Sequence, residues 1–263
     1  MPFSDYQGHR LFYQLSGEQG PPLLFIHGMW DNHGIFAHSA AHFAPRHRVL
    51  APDLLGHGQS DKPRMELSME GFAEQVASLC RHVGLKRVVA MGHSLGGAVV
   101  ATLAARHPEL VRGAVCLDTT LLAPARIVKQ ALPAMLARLE GEPPAQALAG
   151  WLDPMVLPTD GPELKQRLLT AVAQAPMHVT KGLVRAVMNW DGQDTLERLS
   201  CPLLYVGGAQ PRTDRQALLR LKPAALYGQV VGSGHFIPLV VPEQVNAMLD
   251  RFLELLPSLE AAG

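Results

Sequence analysis

Cysteine is scarce in this sequence. Three are present among 263 residues, at positions 80, 116 and 201, which is an odd number of widely separated positions. No two of them have the C-x-x-C spacing of a metal site. Each lies among apolar residues, so we interpret all three as small buried hydrophobic side chains. A cysteine-based metal centre is therefore not predicted.

An excess of charge of one sign is also lacking. Lys and Arg number 23, as do Asp and Glu, so nothing in the charge balance indicates a nucleic-acid or anionic-membrane partner. The N-terminus lacks the basic start and long apolar run of a signal peptide. No window approaches the roughly 20 apolar residues that span a bilayer. We expect a soluble cytoplasmic protein, and no feature indicates its oligomeric state.

Apolar residues, in contrast, make up 48% of the chain, enough for one large α/β domain. Short apolar runs alternate with longer amphipathic segments, which predicts a mainly parallel sheet flanked by helices. The predicted strands cover residues 9–15, 22–27, 48–51, 87–91, 111–117, 202–206 and 226–231. The helices predicted between them cover residues 68–83, 95–107, 214–221 and 242–256.

The alternation is interrupted between residues 119 and 199, a segment that we call the helical insert. Strand signals are missing from it, and helices separated by Pro and Gly are predicted instead, over residues 124–139, 144–152, 162–175 and 178–190. Such a segment between two halves of one α/β pattern is typical of a cap over a sheet. We therefore predict a core formed by residues 1–118 and 200–263, with residues 119–199 as a cap.

The motif G-H-S-L-G at residues 92–96 matches G-x-S-x-G. It follows a predicted strand and opens a predicted helix, the context in which this motif exposes a nucleophilic serine. Side chains two positions before and after the serine would collide in so sharp a turn, so only small residues fit. We predict that Ser94 is a nucleophile. The simpler interpretation is a helix N-cap serine.

Three further segments carry a family resemblance. Residues 25–30 read FIHGMW, residues 53–60 read DLLGHGQS and residues 232–236 read GSGHF. With the serine motif, and in this order, they resemble the segments of the α/β-hydrolase superfamily, over nearly the whole chain. The similarity is to its lid-bearing branch of esterases, lactonases, haloalkane dehalogenases and carbon–carbon bond hydrolases. It implies the α/β-hydrolase fold and a hydrolytic activity.

The resemblance also implies roles for single residues. His235 follows the nucleophile in the chain and lies in a Gly-rich loop, so it is the expected general base. The backbone N–H groups of Met29 and Leu95 are expected to form the oxyanion hole. Gly28 and Trp30 are expected to contact the substrate. No metal or organic cofactor is implied.

The acid of the triad is left open by the sequence. A histidine base needs a carboxylate that fixes its tautomer, and most relatives supply it in a pattern like G-x-x-D-P. Here Gln210 occupies that position. The alternatives are Asp118, which ends a predicted strand as in some relatives, and Asp214, which also fits a helix N-cap. A site without a working acid is the third alternative.

The substrate is indicated less directly than the chemistry. A serine nucleophile argues against the haloalkane dehalogenases and epoxide hydrolases, which use an aspartate there. Trp151, Met155 and Trp190 in the helical insert offer adaptable apolar walls, although residues at helical spacing more often pack a cap onto its core. We expect a serine hydrolase of the carboxylesterase or lactonase type acting on a small hydrophobic ester or lactone. The alternatives are a carbon–carbon bond hydrolase of ring-cleavage products and a small-molecule receptor.

Overall fold

Eight strands form one sheet in the computed structural model, which describes residues 2–262. They are β1 (Phe3–Tyr6), β2 (His9–Ser16), β3 (Leu23–Ile26), β4 (Val49–Pro52), β5 (Val88–His93), β6 (Val111–Leu117), β7 (Leu203–Gly207) and β8 (Leu226–Gln229). Their order across the sheet is β1-β2-β4-β3-β5-β6-β7-β8. Strands β3 to β8 pair in parallel, and β1 and β2 are antiparallel to their neighbours. The predicted α/β-hydrolase fold with a mainly parallel sheet is confirmed.

Eleven α-helices accompany the sheet within residues 2–262. They are α1 (Ala37–Phe43), α2 (Met69–His82), α3 (Leu95–Arg106), α4 (Leu132–Arg138), α5 (Pro144–Leu152), α6 (Pro162–Gln174), α7 (Met177–Asn189), α8 (Gly192–Arg198), α9 (Arg215–Leu221), α10 (Ile237–Val240) and α11 (Pro242–Ala262). Local sequence explains their ends. At the start of α2, the Ser68 side chain accepts a hydrogen bond from the Gly71 amide at 3.0 Å. After it, Gly84 takes a φ of +71° that ends the helix.

Both faces of the sheet are covered by helices, so the residues of the inner strands β3, β4, β5 and β7 are buried on either face. In β3, Leu24 and Ile26 join one apolar cluster with buried side chains of α2 and α3. Leu23 and Phe25 join a second cluster with α1 and α11. All four side chains are fully buried. A parallel sheet buried on both faces explains why its strands read as continuous apolar runs.

The helical insert contains no strand among the described residues, and its buried side chains join both core clusters. Val179 and Leu183 belong to the cluster that contains α2 and α3. Met135, Leu148 and Met155 belong to the cluster that contains α11. At the C-terminal end of α7, the Trp190 indole N–H donates to the Thr102 hydroxyl of α3 at 3.0 Å. The insert is thus fixed to the core by apolar packing and by a side-chain hydrogen bond.

Several elements differ from the prediction. The sequence pattern did not predict β1, α1, α8 or α10. The helix predicted over residues 124–139 is divided into a π-helical turn at Ile127–Ala131 and α4. Pro133 explains the division, because a proline lacks an N–H and its ring collides with the carbonyl four residues earlier. Of the helices described within residues 2–262, none has the length and hydrophobicity needed to cross a membrane.

Candidate active site

The turn between β5 and α3 places Ser94 in a strained backbone conformation. Its φ is +54° and its ψ is −119°. The flanking glycines are required by space: a Cβ on Gly92 would lie 2.1 Å from the Gly96 carbonyl oxygen, and one on Gly96 would lie 2.1 Å from the Ile26 carbonyl oxygen. Ser94 occupies the N-cap position of α3, but its side chain makes no capping hydrogen bond. The structure therefore agrees with the tight turn and not with the simpler N-cap interpretation.

The backbone around Ser94 leaves two amides available. Ser94 itself donates its N–H to the Leu117 carbonyl at 2.9 Å. Within residues 2–262, neither the Met29 N–H nor the Leu95 N–H is among the backbone groups that donate to a backbone carbonyl outside the helices and strands. Leu95 is the first residue of α3, where the N–H groups have no acceptor within the helix. A Cβ on Gly28 would lie 3.2 Å from the Ser94 Cβ, so the absence of a side chain at Gly28 lets the loop after β3 approach the serine closely.

Asp118 and His235 form a buried pair at the same edge of the sheet. The His235 Nδ1 lies 2.7 Å from the Asp118 Oδ2, and their side chains are 6% and 1% exposed. The other carboxylate oxygen accepts the backbone N–H groups of Gly208 at 3.1 Å and Arg212 at 3.2 Å. These bonds arise because β6 and β7 are neighbouring parallel strands whose carboxyl ends lie side by side.

The hydrogen bonds of this pair govern its ionisation. Burial by itself raises the pKa of Asp118, but the hydrogen bonds from His235, Gly208 and Arg212 outweigh it and hold the pKa below its ordinary value. Burial lowers the pKa of His235, and the hydrogen bond with Asp118 opposes this only in part. At neutral pH the pair is thus an ionised carboxylate beside a neutral imidazole, the arrangement that a general base requires.

Asp214 and Gln210 take no part in this pair. Asp214 caps α9, where its carboxylate accepts the Ala217 N–H at 2.7 Å. Gln210 is exposed. The loop that carries Gln210 contributes the Gly208 N–H to Asp118 instead of a carboxylate to His235. Of the two acids that the sequence left open, the structure brings Asp118 to the histidine and leaves Asp214 at a helix end.

A cavity of about 90 Å³ lies over Ser94 and His235. No hydrogen bond to the Ser94 hydroxyl is among those formed within residues 2–262, although both side chains line this cavity. Such bonds are often long before a substrate is bound. Every residue predicted to contact the substrate or to form the oxyanion hole also lines the cavity: Gly28, Met29, Trp30, Leu95, Trp151, Met155 and Trp190.

The sequence missed part of the cavity wall. His93 lines the cavity, and its Nε2–H donates to the His235 carbonyl at 2.9 Å. Burial lowers the pKa of His93 to about 3, so this ring is neutral. Asp31 and Arg212 also line the cavity, and the motifs gave no signal for either. Within the described part of the chain, no group of three or more His, Cys, Asp or Glu side chains is arranged to hold a metal ion.

Comparison with known proteins identifies the family. The family model for the alpha/beta hydrolase fold matches residues 21–242. An uncharacterized protein of Mycobacterium bovis is 31% identical over 277 residues, which cover 97% of this chain and 81% of that protein. The enol-lactonase of Burkholderia xenovorans LB400 has a TM-score of 0.85 at 18% identity, over 96% of this chain and 100% of the enzyme.

A further solved structure is that of Est816, described as an N-acyl homoserine lactone degrading enzyme. It is 27% identical, with a TM-score of 0.76 over 95% of this chain and 100% of that enzyme. The match to the family model covers most of the chain and includes the segments that contain Ser94, Asp118 and His235. The chain belongs to the alpha/beta hydrolase fold family.

Proposed function

We propose that this protein is a serine hydrolase that cleaves a small, hydrophobic carboxylic ester or lactone through an acyl-enzyme on Ser94. The observation that carries the proposal is the shared cavity: Ser94 reaches it from a strained turn, and His235 reaches it while its Nδ1 is held 2.7 Å from Asp118. A strained serine beside an oriented neutral imidazole is the arrangement used in acyl transfer.

In the proposed reaction, the His235 Nε2 takes the proton of the Ser94 hydroxyl while Oγ bonds to the acyl carbon. The carbonyl oxygen becomes an oxyanion, which accepts the N–H groups of Met29 and Leu95. The tetrahedral intermediate then expels the alcohol, which receives the proton from His235. His235 then takes a proton from a water molecule, which attacks the acyl carbon. The second tetrahedral intermediate releases the carboxylic acid, and Ser94 regains its proton from His235. In a lactone the alcohol stays attached to the acyl group, so the product is a single hydroxy acid.

Electrostatic stabilisation accounts for much of the expected rate. Each oxyanion donor contributes about 3 kcal/mol to the stabilisation of the transition state. The negative charge of Asp118 stabilises the imidazolium that forms when His235 is protonated. Its hydrogen bond also keeps the proton of neutral His235 on Nδ1, so that Nε2 remains a base. The interaction between the carboxylate and the imidazolium is strong here because both side chains are buried.

The wall of the cavity supports a hydrophobic substrate. Apolar or aromatic side chains dominate its lining: Met29, Trp30, Met69, Trp151, Met155, Val187, Trp190 and Phe236. The volume of about 90 Å³ favours a small acyl group. The similarity to Est816 supports lactones as a substrate class. We also propose that the helical insert, residues 119–199, acts as a lid, since Trp151, Met155 and Trp190 belong to it.

The test is hydrolysis of a panel of esters and lactones of graded acyl size, with a ring-cleavage dienoate as the carbon–carbon bond substrate. We expect ester or lactone turnover that is abolished in Ser94→Ala. In Asp118→Asn we expect a fall in kcat of about 10⁴-fold, because the wrong tautomer is favoured. Asp214→Asn is the matched control and keeps wild-type kcat, because asparagine also caps helices. Turnover that is unaffected by Ser94→Ala, or confined to the dienoate, contradicts the proposal.

A further inference from the structure

Two backbone N–H groups of the loop that carries His235 donate hydrogen bonds to the helical insert. The Gly234 N–H donates to the Asp160 carboxylate, at 3.0 Å from Oδ1 and 3.2 Å from Oδ2. The next amide, that of His235, donates to the Met155 carbonyl at 2.8 Å. Both acceptors lie in short 3₁₀ turns of the insert, Asp153–Met155 and Pro158–Asp160. Two consecutive amides next to the imidazole are therefore bound by a segment outside the core sheet.

Asp160 is itself held in place. Its Oδ2 accepts the Leu157 N–H at 2.7 Å, and its own N–H donates to the Leu157 carbonyl at 3.0 Å. The carboxylate thus closes its own turn and binds the histidine loop at the same time. Because the turn fixes the carboxylate, Asp160 can determine where the Gly234 amide lies.

The fit at this contact is close. A Cβ on Gly234 would lie 2.5 Å from the Met155 carbonyl oxygen and 2.7 Å from the Asp160 Oδ2. On the other side of the loop, a Cβ on Gly208 would lie 2.0 Å from the Gly234 carbonyl oxygen. Gly234 is absent from the residues of positive φ, so this glycine is required by space and not by backbone conformation. The loop is enclosed between the end of β7 and the insert.

His235 depends on such contacts because its loop has no regular structure. The residue lies in a bend between β8 and α10. Its carbonyl accepts the His93 Nε2–H at 2.9 Å, and its N–H is held by Met155. A displacement of about 1 Å at a reacting group can lower a rate by up to about 100-fold. Small movements of this loop therefore matter for proton transfer from Ser94.

We propose that Asp160 is a positioning residue, which holds the loop at Gly234 so that the His235 imidazole is directed at Ser94. The inference rests on the proposed function, since it needs His235 to act as the base. The helical insert would then have two roles. It encloses the substrate, and its residues 155–160 hold the loop that carries the base. The position of the insert and the position of the imidazole are coupled through these bonds.

The expected effect falls on kcat. In Asp160→Ala we expect kcat to fall about tenfold while KM stays within about twofold, because the imidazole is displaced and the cavity wall is not. Asp160→Asn keeps an oxygen that accepts the Gly234 N–H, so it should recover most of the loss. Asp153→Asn is the matched control: this insert carboxylate is exposed, pairs with Lys165 at 2.8 Å and should leave kcat unchanged.

The experiment measures kcat and KM for the best ester, with active sites counted by a fluorophosphonate and folding checked by thermal unfolding. Counting active sites separates a positioning role from a loss of folded protein. Gly234→Ala disturbs the same contact from the other partner and should also lower kcat per active site. If Asp160→Ala does not fold, Gly234→Ala decides.

Unchanged kcat per active site in folded Asp160→Ala, or in Gly234→Ala where Asp160→Ala does not fold, overturns the inference, as does an equal loss in Asp153→Asn. Failure of the proposed function looks different. In that case Ser94→Ala retains hydrolysis, or only the dienoate is cleaved, whatever the Asp160 variants do.

Discussion

Ser94 adopts a backbone conformation that L-residues rarely take, with φ +54°. Trp30 and Asp118 share this feature, with φ +57° and +42°, and within residues 2–262 the other non-glycine residues of positive φ are Gln7 and Arg87. Three of the five strained positions therefore lie at the proposed site. Backbone strain of this kind costs of order 1–3 kcal/mol and persists where the surrounding structure imposes it.

Removing the strain should stabilise the protein at the expense of activity. Glycine tolerates the φ of residue 94, so Ser94→Gly relieves about 1–3 kcal/mol of strain. It loses about 0.4–1 kcal/mol through the greater freedom of the unfolded chain. Relative to Ser94→Ala, which keeps the Cβ, we expect the free energy of unfolding to rise by about 1 kcal/mol. Urea unfolding of the two inactive variants measures the difference, and a less stable Ser94→Gly would argue against strain at this turn.

The pH dependence of catalysis should report the ionisation of His235. A general base acts only when neutral, so kcat/KM should fall about tenfold per pH unit below the pKa of the free enzyme. Burial lowers that pKa, so the midpoint should lie below about 6.5, the ordinary value for histidine. His93 does not interfere, because its pKa is about 3.

Asp118 opposes the lowering of the His235 pKa. The midpoint should therefore move further down in Asp118→Asn, in which the negative charge is removed. The measurement is kcat/KM against pH for an uncharged ester. A wild-type midpoint above pH 7, or an upward shift in Asp118→Asn, would contradict this description of the pair.

At the scale of elements, the junction of β5 and α3 is packed without room for a methyl group. Gly92→Ala would bring a Cβ to 2.1 Å from the Gly96 carbonyl oxygen, which forces the strand and the helix apart. We expect a loss of about 3 kcal/mol or more in the free energy of unfolding, as in severe overpacking.

Gly150→Ala is the control for this prediction. Gly150 is exposed within α5, and a Cβ there has no neighbour within 4 Å. Alanine should stabilise that helix by about 0.5–1 kcal/mol. Denaturant unfolding of both variants gives the comparison. Equal stability of the two would show that the close approach at Gly92 is not a real constraint.

Elements with a strong apolar period were predictable from the sequence, and short or polar elements were not. The sequence pattern predicted β3 and α2 to within a few residues because their apolar residues follow the sheet and helix periods. Strand β1 has four residues and pairs only with β2. The sequence feature that could have indicated β1 is the turn at Gln7 and Gly8. Both residues have positive φ, as in the tight turn of a β-hairpin. Helix α1 has only seven residues, and three of them, His38, Ser39 and His42, are polar.

At the scale of the whole molecule, the site is assembled at the carboxyl ends of β5 and β6 and in the loop after β8, where ligands bind in open α/β sheets. Motifs predicted Ser94 and His235 because each lies in a local pattern that its chemistry requires. The choice between Asp118 and Asp214 needed the pairing of β6 with β7, which no local pattern carries.

Contacts between distant parts of the chain were beyond the reach of the sequence. Asp160 and Gly234 are 74 positions apart, and neither the carboxylate nor the glycine belongs to a motif that names the other. The His93 ring is held by a hydrogen bond to the His235 carbonyl, 142 positions away. Long-range packing, and not local propensity, therefore determines which polar residues surround the proposed base.

The central claim is that the hydroxyl of residue 94 is an activated nucleophile in a cavity open to small molecules. It is tested most directly by treating the intact protein with a fluorophosphonate, followed by mass measurement and peptide mapping. We predict one adduct per chain on Ser94 and none in Ser94→Ala. Labelling should be much slower in His235→Ala, although that protein is folded. Labelling of another residue, or no labelling of folded wild-type protein, would contradict the account.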